Sequence, residues 1–304
     1  MMMDGYGHPA YAASLAEFGS AQPLSASKGW ILKRRIQGYA GCDAIGCYPL
    51  FACEDWSNLP DDLHALQGEL VSLTLVADPF GNYDETLLRA CFPDTLLPFK
   101  KHFIIDMNRP LYSWVSEHHR RYARKALQTV TVKRCEQPSL FLDEWITLYQ
   151  NLIGRHGIRG IAAFSRNSFA QQLRVPGMVA FRACVQGKTA GMLLWFVQGN
   201  HAYYHLGAYD SRGYEHYASF ALFWVALEYF AGIGLRWINL GANPGMSDNQ
   251  QNGLARFKQG WSTGTRTAYL CGRICNPVHY RELAAACRPA GTGYFPAYRA
   301  GEIV

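Results

Sequence analysis

Residues 235–263 read LRWINLGANPGMSDNQQNGLARFKQGWST, and this stretch decides the prediction of the fold. Residues 235–240 form a strand-like run, and residues 253–259 have the pattern of a helix. The helix carries one stripe at the spacing i, i+3, i+4 and i+7, which predicts a buried face made of Leu254, Phe257, Lys258 and Trp261.

The lysine in this stripe has two interpretations. Its long stem can lie along the apolar neighbours while the ammonium reaches water. Alternatively, the ammonium of Lys258 is held in a poorly hydrated place, where a positive charge can take part in chemistry. The sequence alone leaves both interpretations open.

The composition is that of a globular protein. Of 304 residues, 49% are hydrophobic and 17% are charged, so a sizeable core can form. The length favours two units. The net charge of +6 rests on 21 arginines and 8 lysines, and planar guanidinium groups suit the recognition of phosphate or carboxylate. This balance permits a nucleic-acid, phospholipid or phosphorylated-carrier partner without requiring one.

The nine cysteines do not indicate a metal site. No CxxC pair is present, and Cys42, Cys47 and Cys53 have no second pair of ligands at a suitable distance. Reduced, mostly buried thiols are the simpler interpretation, so no metal ligands are predicted.

One segment has the minimum length of a membrane span. Residues 218–235, ASFALFWVALEYFAGIGL, contain a single charge, Glu228. That charge, the glycines that follow it and the strand-like run after them favour a helix buried against a sheet. No signal peptide is evident at the N-terminus, so the expected location is cytoplasmic, with contact to a membrane surface left open.

Strands and helices alternate along the rest of the chain, which predicts an α+β or α/β-like fold. Residues 1–27 lack a sustained period and predict a loose, flexible tail. Two hairpin loops, at residues 186–188 and 198–200, join strands into an antiparallel meander that precedes the strand–helix–strand unit.

Residues 111–128, LYSWVSEHHRRYARKALQ, predict one helix with a basic face. Its basic side chains form two adjacent i,i+4 ridges, Arg120 with Arg124 and Arg121 with Lys125. These ridges can bind the phosphates of a tRNA, a nucleotide-linked acceptor or a carrier. A solvated helix face is the simpler alternative.

Residues 102–128 and 235–263 resemble the Fem-type peptidyltransferases, which are built from two GNAT-like halves. The resemblance covers about residues 28–275 and is carried by four short motifs: Ile105-Asp106, Arg124-Lys125-Ala126, Asn239-Leu240-Gly241, and Gly253-Leu254 followed by Phe257-Lys258. It implies two tandem GNAT-like mixed-sheet domains behind the tail. The expected bounds are 28–135 for a degenerate domain and 136–304 for the acyltransferase domain.

In that family a phenylalanine–lysine pair lies at the transfer site, and the lysine stabilises the negative charge that develops during acyl transfer. The resemblance therefore assigns catalysis to Lys258, with Phe257 beside the substrate. A cation next to an oxyanion is worth far more in low dielectric than in water.

The resemblance leaves the co-substrate open. GNAT enzymes that use acyl-CoA usually carry a glycine-spaced loop that binds the pyrophosphate at a helix N-terminus. Here residues 208–219 read AYDSRGYEHYAS, with Gly213 as the one glycine and Arg212 next to it. Fem-type proteins also lack the loop, so acyl-CoA, an acyl-carrier thioester and aminoacyl-tRNA all stay as donors, and no tightly bound cofactor is expected.

Tyr204 and His205 are candidates for positioning the acceptor or removing its proton, since an imidazole suits that task near neutral pH. Neighbours on a strand face opposite ways, so only one of them can point into the cleft. Packing within the sheet is the alternative for both. The remaining candidates for substrate binding are Tyr209, Arg212, Tyr217 and Asn239, although asparagine also starts turns.

Several function classes lack the residues they need. No P-loop or HExxH motif occurs, which excludes the corresponding kinase and metalloprotease hypotheses. The prediction is acyl or aminoacyl transfer to the amine of a small-molecule, cell-wall or polysaccharide precursor, without a metal or a covalent enzyme intermediate. A tRNA or an acyl carrier protein is the expected partner. The alternative is a non-catalytic relative that binds a nucleotide-linked or acyl ligand.

Overall fold

The computed structural model describes residues 3–243, 253–286 and 294–300. Within them the strands are β1 (Ser20–Leu24), β2 (Gly29–Arg35), β3 (Cys42–Gly46), β4 (Ser72–Val76), β5 (Thr95–Asp106), β6 (Val130–Cys135), β7 (Met178–Val185), β8 (Lys188–Gln198), β9 (His201–Tyr209), β10 (Trp237–Asn239) and β11 (Gly264–Ile274). The helices are α1 (Pro9–Ser14), α2 (Leu59–Ala65), α3 (Glu85–Cys91), α4 (Leu111–Trp114), α5 (Glu117–Ala126), α6 (Leu142–His156), α7 (Arg166–Gln172), α8 (Ser211–Glu215), α9 (Ala218–Gly232), α10 (Gly253–Trp261) and α11 (Pro277–Ala286).

The chain forms two compact units. The first consists of Met1–Phe99, Arg159–Ser168 and Thr267–Val304, and the second of Lys100–Ile158 and Phe169–Arg266. A division by contacts does not test which segments are related by duplication, so the predicted domains at 28–135 and 136–304 stay a prediction.

The first unit is built on the strand order β1-β2-β3-β4-β11. Strands β1, β2 and β3 pair in antiparallel fashion, β3 and β4 pair in parallel, and β4 and β11 are again antiparallel. Its core joins Leu63 of α2 and Leu88 of α3 to Leu73 and Leu75 of β4, all of them buried. Apolar residues alternate along β4, which is why one face of this strand receives the helices.

The prediction of a loose tail at residues 1–27 is wrong for the residues described there. They form α1 and β1, and β1 pairs with β2 in antiparallel register. Tyr11 and Leu15 are fully buried, and the Tyr11 hydroxyl donates a hydrogen bond to the Tyr48 carbonyl at 2.5 Å. The segment carries too few large apolar residues to show a period, and its order depends on contacts with distant residues.

The second unit has the strand order β5-β10-β9-β8-β7-β6. Strands β6 to β9 form an antiparallel meander, which confirms the prediction from the two hairpin loops. The chain then crosses through α9 into β10, which pairs in parallel with β9 and in antiparallel fashion with β5. The result is a mixed sheet with α9 packed against it.

Helix α9 is buried, as the sequence predicted for residues 218–235. Ala221, Leu222 and Phe223 are fully buried in the core of the second unit, which also contains Trp195 of β8 and Ile238 of β10. Among the residues described, no helix has the length and apolar character needed to cross a membrane.

The single helix predicted at residues 111–128 is two helices, α4 and α5. The break lies at Val115 and Ser116, which have extended backbone, and the Ser116 hydroxyl caps α5 by accepting a hydrogen bond from the His119 amide at 3.3 Å. Serine is a preferred residue at this position because it satisfies a free helix amide. The basic face is therefore carried by α5 alone.

Candidate active site

Strands β9 and β10 separate at one end of the second unit. They pair over three residues, from His201–Tyr203 on β9 to Trp237–Asn239 on β10. On its other edge β9 shifts register, so that Tyr204 lies opposite Trp195, Leu206 lies opposite Leu194, and His205 is an extra residue. A bulge of this kind bends a strand away from its neighbour. The candidate site lies beside this bulge and the end of β10 at Asn239.

The structure buries the ammonium of Lys258 near this separation. Lys258 is 5% exposed, and its Nζ donates a hydrogen bond to the Ala242 carbonyl, just past β10, at 2.7 Å. Nζ also lies 5.8 Å from the centroid of the Tyr204 ring. The interpretation in which the stem carries the charge to water is therefore wrong.

Burial has a direct electrostatic consequence for Lys258. It lowers the pKa of the ammonium from 10.5 to about 7, because the charged form loses hydration that the protein replaces only in part. Near neutral pH the group therefore exists in both forms. A cation with little hydration interacts strongly with any negative charge that forms beside it.

The predicted apolar stripe on α10 is correct at Trp261, which is fully buried, and wrong at Leu254, which is 38% exposed. Helix α10 begins at Gly253, so Leu254 lies in the first turn. Phe257 is half-buried, and its ring packs edge-on against Phe223 and Phe220 of α9.

Of the neighbours Tyr204 and His205, only Tyr204 faces Lys258. Its ring packs on Trp195, whereas the His205 ring packs on Phe196, which lies on the opposite face of β8. His205 Nε2 lies 2.9 Å from Gln172 Oε1, so the imidazole donates there, and burial lowers the pKa of His205 to about 3. The structure therefore does not bring His205 together with Lys258.

The Tyr204 hydroxyl is neutral at ordinary pH, since burial raises the pKa of this phenol well above 10.0. Tyr204 also shares a hydrogen bond with Tyr209, whose pKa burial raises as well. The two phenols can donate or accept hydrogen bonds but cannot act as phenolate bases near neutral pH. Their roles in positioning substrate stay a prediction.

Asn239 ends β10 and is 2% exposed. Its Oδ1 accepts a hydrogen bond from the Gly241 amide at 2.8 Å and lies 3.0 Å from His102 Nδ1. Within the described part of the chain its Nδ2 has no hydrogen-bond partner, and neither does the buried Oδ1 of Asn243. Buried polar atoms in proteins are nearly always paired, so these two remain available for a further hydrogen bond.

The other predicted substrate-binding residues make contacts of their own. Arg212 pairs with Asp210, with 2.9 Å from Nε to Oδ2, and its Nη2 donates to the Thr189 carbonyl at 3.0 Å. Tyr217 precedes α9 with φ of 56°, and its ring lies 4.8 Å from Lys125 Nζ.

On α5, Arg120 donates from Nη1 to the Tyr112 carbonyl at 3.0 Å, and Arg124 is exposed. None of the arginines and lysines on this helix is buried, so the ridge remains accessible at Arg124 and Lys125.

Sequence reasoning missed two histidines. His102 on β5 contacts Asn239, and His119 on α5 contacts the backbone of α10, with 2.9 Å from its Nε2 to the Phe257 carbonyl oxygen. Both lie in segments that carry the family resemblance, but neither belongs to a spaced motif. Only the pairing of β5 with β10 and the packing of α5 on α10 reveal them.

A groove of about 590 Å³ lies between α5 and α10, with His118, His119, Phe220, Arg256 and Phe257 in its lining. Its lining therefore combines aromatic rings with one arginine. Among the described residues no group of three or more potential ligands could hold a metal ion.

Comparison with known proteins agrees with this geometry. Residues 115–259 match the acetyltransferase (GNAT) domain family, and the matched segment contains Tyr204, Asn239 and Lys258. No curated protein sequence matches the chain significantly. Residues 115–259 therefore match a GNAT domain, the chain has a Fem-like fold, and acyl-group transfer is the general activity that these findings support.

Three solved structures show the same fold at low sequence identity. FemX is 14% identical, with a TM-score of 0.66 over 90% of this chain and 93% of its own. The C-terminal domain of a putative lysylphosphatidylglycerol synthetase from Agrobacterium fabrum is 17% identical, with a TM-score of 0.62 over 91% and 89%. L-PGS from Bacillus licheniformis is 15% identical, with a TM-score of 0.58 over 90% and 95%. The predicted α+β class with mixed sheets is confirmed.

Proposed function

We propose that this protein transfers an acyl or aminoacyl group from an activated donor to an amine, with Lys258 as the group that stabilises the transition state. The observation that carries the proposal is the burial of the Lys258 ammonium beside the separation of β9 and β10. The GNAT family match supports the same class of reaction.

The reaction requires an uncharged amine, a positioned donor carbonyl and a stabilised oxyanion. When the amine attacks the carbonyl carbon, negative charge develops on the carbonyl oxygen, and a fixed cation in a dry site lowers the energy of that state. The neutral hydroxyls of Tyr204 and Tyr209 add donors that position substrate. Orientation of two bound reactants supplies a further share of the rate.

The donor is best sought outside acetyl-CoA. Arg212 is engaged with Asp210 and with the Thr189 carbonyl, so its guanidinium is occupied within the chain. Gly213 is needed for packing, because a Cβ there would lie 2.1 Å from the Ala190 carbonyl oxygen. Both residues, which stand where GNAT enzymes that use acyl-CoA carry the pyrophosphate-binding loop, therefore have structural roles. This favours an aminoacyl-tRNA or an acyl-carrier thioester over acyl-CoA.

The acceptor we propose is an amine on a small-molecule, cell-wall or polysaccharide precursor in the cytoplasm. One neighbour in fold is named FemX and another is a putative lysylphosphatidylglycerol synthetase domain, so a lipid headgroup and peripheral contact with a membrane belong in the same test.

A panel of donors tests the proposal directly. The purified protein is incubated with acetyl-CoA, longer acyl-CoAs, acylated carrier protein and charged tRNA, each with a mixture of amine acceptors, and acylated product is detected by mass spectrometry. Product from one donor class supports the proposal. Tight binding of a donor without product from any of them would instead favour a non-catalytic binding protein.

Transfer is expected to decline as pH rises above about 7. Lys258 must carry its proton to stabilise an oxyanion, and burial lowers its pKa to about 7. The acceptor amine works in the opposite sense, since deprotonation makes it nucleophilic. The two effects are separated by measuring kcat/KM against pH with two acceptors of different pKa. A falling limb that stays at the same pH for both acceptors belongs to the enzyme, and its absence would contradict the role of Lys258.

The basic face of α5 is expected to contribute to binding when the donor is a tRNA. The double substitution Arg120→Ala with Arg124→Ala should weaken tRNA binding and reduce the slope of log Kd against log salt by about 1 for each phosphate that the helix no longer neutralises. The matched control is Arg159→Ala with Arg174→Ala, which removes the same charge from two exposed positions outside α5. Equal effects of the two double variants would refute a specific role for this face.

A further inference from the structure

His102 and Asn239 form a buried pair on adjacent strands of the second unit. Strand β5 runs antiparallel to β10, with Ile104 opposite Asn239. His102 lies two residues before Ile104 in β5 and therefore near the chain that leaves β10. The two side chains are 7% and 2% exposed. Such a pair is costly to bury unless its hydrogen bonds are satisfied.

The hydrogen bonds define the protonation of the His102 ring. Asn239 Oδ1 accepts from the Gly241 amide at 2.8 Å, which fixes the oxygen and nitrogen of the side-chain amide. His102 Nδ1 lies 3.0 Å from the same oxygen, and an oxygen can only accept, so Nδ1 carries the proton. The other ring nitrogen, Nε2, then bears a lone pair. Among the described residues no hydrogen-bond partner occupies it.

The electrostatic surroundings keep this ring neutral. Burial is the main cause that lowers the pKa of His102 to about 4, the charges of Lys258 and Lys100 act in the same direction, and the hydrogen bond to Asn239 opposes them. These are the charged groups that face the ring from α10 and from β5. At neutral pH the ring is therefore unprotonated, and Nε2 is a weak base that takes a proton only from a nitrogen made acidic by its new bond to the donor carbonyl carbon.

The pair and Lys258 are joined through a short piece of backbone. The Gly241 amide binds Asn239, a Cβ on Gly241 would lie 3.4 Å from Lys258 Nζ, and the next carbonyl, of Ala242, accepts from Nζ at 2.7 Å. The Asn239 Nδ2, unpaired among the described residues, is buried in the same place. A proton acceptor, a cation and an amide donor thus adjoin the same short backbone segment, residues 239–242.

We propose that His102 is the base of the transfer reaction, held in the Nδ1–H tautomer by Asn239, and that it takes the proton of the attacking amine at Nε2. This inference rests on the proposed function. The amine nitrogen forms a bond to the donor carbonyl carbon, and the carbonyl electron pair moves to oxygen, facing Lys258. His102 removes the proton from nitrogen. The carbon–leaving-group bond then breaks, the leaving group departs with the electron pair, and the proton passes from His102 to it.

The arrangement has the elements of a positioned base. A histidine that acts on substrate needs one nitrogen fixed by an acceptor and the other open toward the reacting group. Asn239 holds Nδ1 of His102, and among the described residues no hydrogen bond engages Nε2. The neighbour His205 shows the contrast, because its Nε2 is bound to Gln172.

The test is rescue of a variant by an added base. His102→Ala is expected to lower kcat/KM by about 10²- to 10⁴-fold, the usual share of a general base. Added imidazole should restore part of the loss, and the restored rate should follow the concentration of neutral imidazole as pH changes. A purely structural role would not produce this dependence. The control is His201→Ala, at the first residue of β9. This variant should lose less activity than His102→Ala and should not respond to imidazole.

A second measurement does not depend on turnover. Long-range ¹⁵N–¹H spectra of histidine-labelled protein should show His102 as the Nδ1–H tautomer in the wild type. The Nε2–H tautomer would overturn the proposal. So would undiminished turnover of His102→Ala in a protein where Lys258→Met is inactive, and that result would leave the proposed function intact. Absence of turnover by the wild-type protein with every donor would refute both the role of His102 and the proposed function.

Discussion

Replacement of Lys258 by methionine is expected to lower kcat by about 10²- to 10³-fold with little change in KM, the effect typical of losing one oxyanion-stabilising group. Methionine keeps a long unbranched stem and loses the charge. The loss falls on kcat because the developing oxyanion exists only in the transition state, so ground-state binding changes little. Steady-state kinetics of the wild type and the variant, with the donor that gives product in the panel, measures kcat and KM.

The same substitution is expected to make the fold more stable. The pKa of Lys258 is about 7 in the folded protein and 10.5 as a free side chain, so between these values the unfolded chain binds the extra proton. In the wild type the free energy of unfolding therefore rises as pH increases from about 7 toward 10.5, and below about 7 the full cost of burying the charge is present. Lys258→Met removes that cost, and with it the dependence of the free energy of unfolding on pH in this range. Urea unfolding of the wild type and the variant at pH 7 and pH 10 measures both changes.

Higher stability together with lost turnover separates catalysis from folding. A variant that loses activity by unfolding would show lower stability. The control is Lys188→Met, at the exposed first position of β8, which should leave both activity and stability nearly unchanged. Turnover of Lys258→Met at the wild-type rate would refute the role of this ammonium in transfer.

Prediction from sequence worked where local periodicity determines structure. The meander from β6 to β9 followed from two hairpin loops, and the buried α9 followed from an apolar segment with one charge. Both features depend on neighbours in sequence, so the pattern contains them. The prediction for residues 1–27 failed because their order depends on residues distant in sequence. Helix α1 is held by contacts such as that of Tyr11 with Tyr48.

The sequence of α10 alone could not show whether the Lys258 ammonium is buried or reaches water. A lysine on an apolar stripe has the same spacing whether its charge is buried or reaches water. The outcome depends on the backbone after β10, where the Ala242 carbonyl receives Nζ. That carbonyl is 16 residues away in the chain and leaves no mark in the helix pattern.

The site residues divide in the same way. Asn239 was predicted from a motif of the resemblance and Tyr204 from its strand, and the structure places Tyr204 near Lys258. His102 was not found, because a single histidine in a strand has no partner at a fixed spacing. Its partner Asn239 is 137 residues away, and only the pairing of β5 with β10 brings them together.

Gly260→Ala is expected to lower the free energy of unfolding by about 2–4 kcal/mol, from overpacking together with disrupted hydrogen bonds. A Cβ at this position of α10 would lie 2.1 to 2.5 Å from three atoms of the His119 ring. The ring cannot easily move, since its Nδ1 lies 2.8 Å from Ser116 Oγ and its Nε2 lies 2.9 Å from the Phe257 carbonyl oxygen. It also packs edge-on against Trp261, at 4.9 Å between ring centroids.

Helix α10 offers its own control at Gly253, where a Cβ would meet nothing within 4 Å. Gly253→Ala should leave stability unchanged or raise it by up to about 1 kcal/mol, because alanine restricts the unfolded chain. Chemical unfolding of both variants measures the difference, and equal stability would contradict the contact between His119 and α10. If the clash is the cause, adding His119→Ala to Gly260→Ala should cost less than the sum of the single changes, since the double variant has no ring to displace. Because α10 also carries Lys258, the single Gly260→Ala variant should lose transfer activity along with stability.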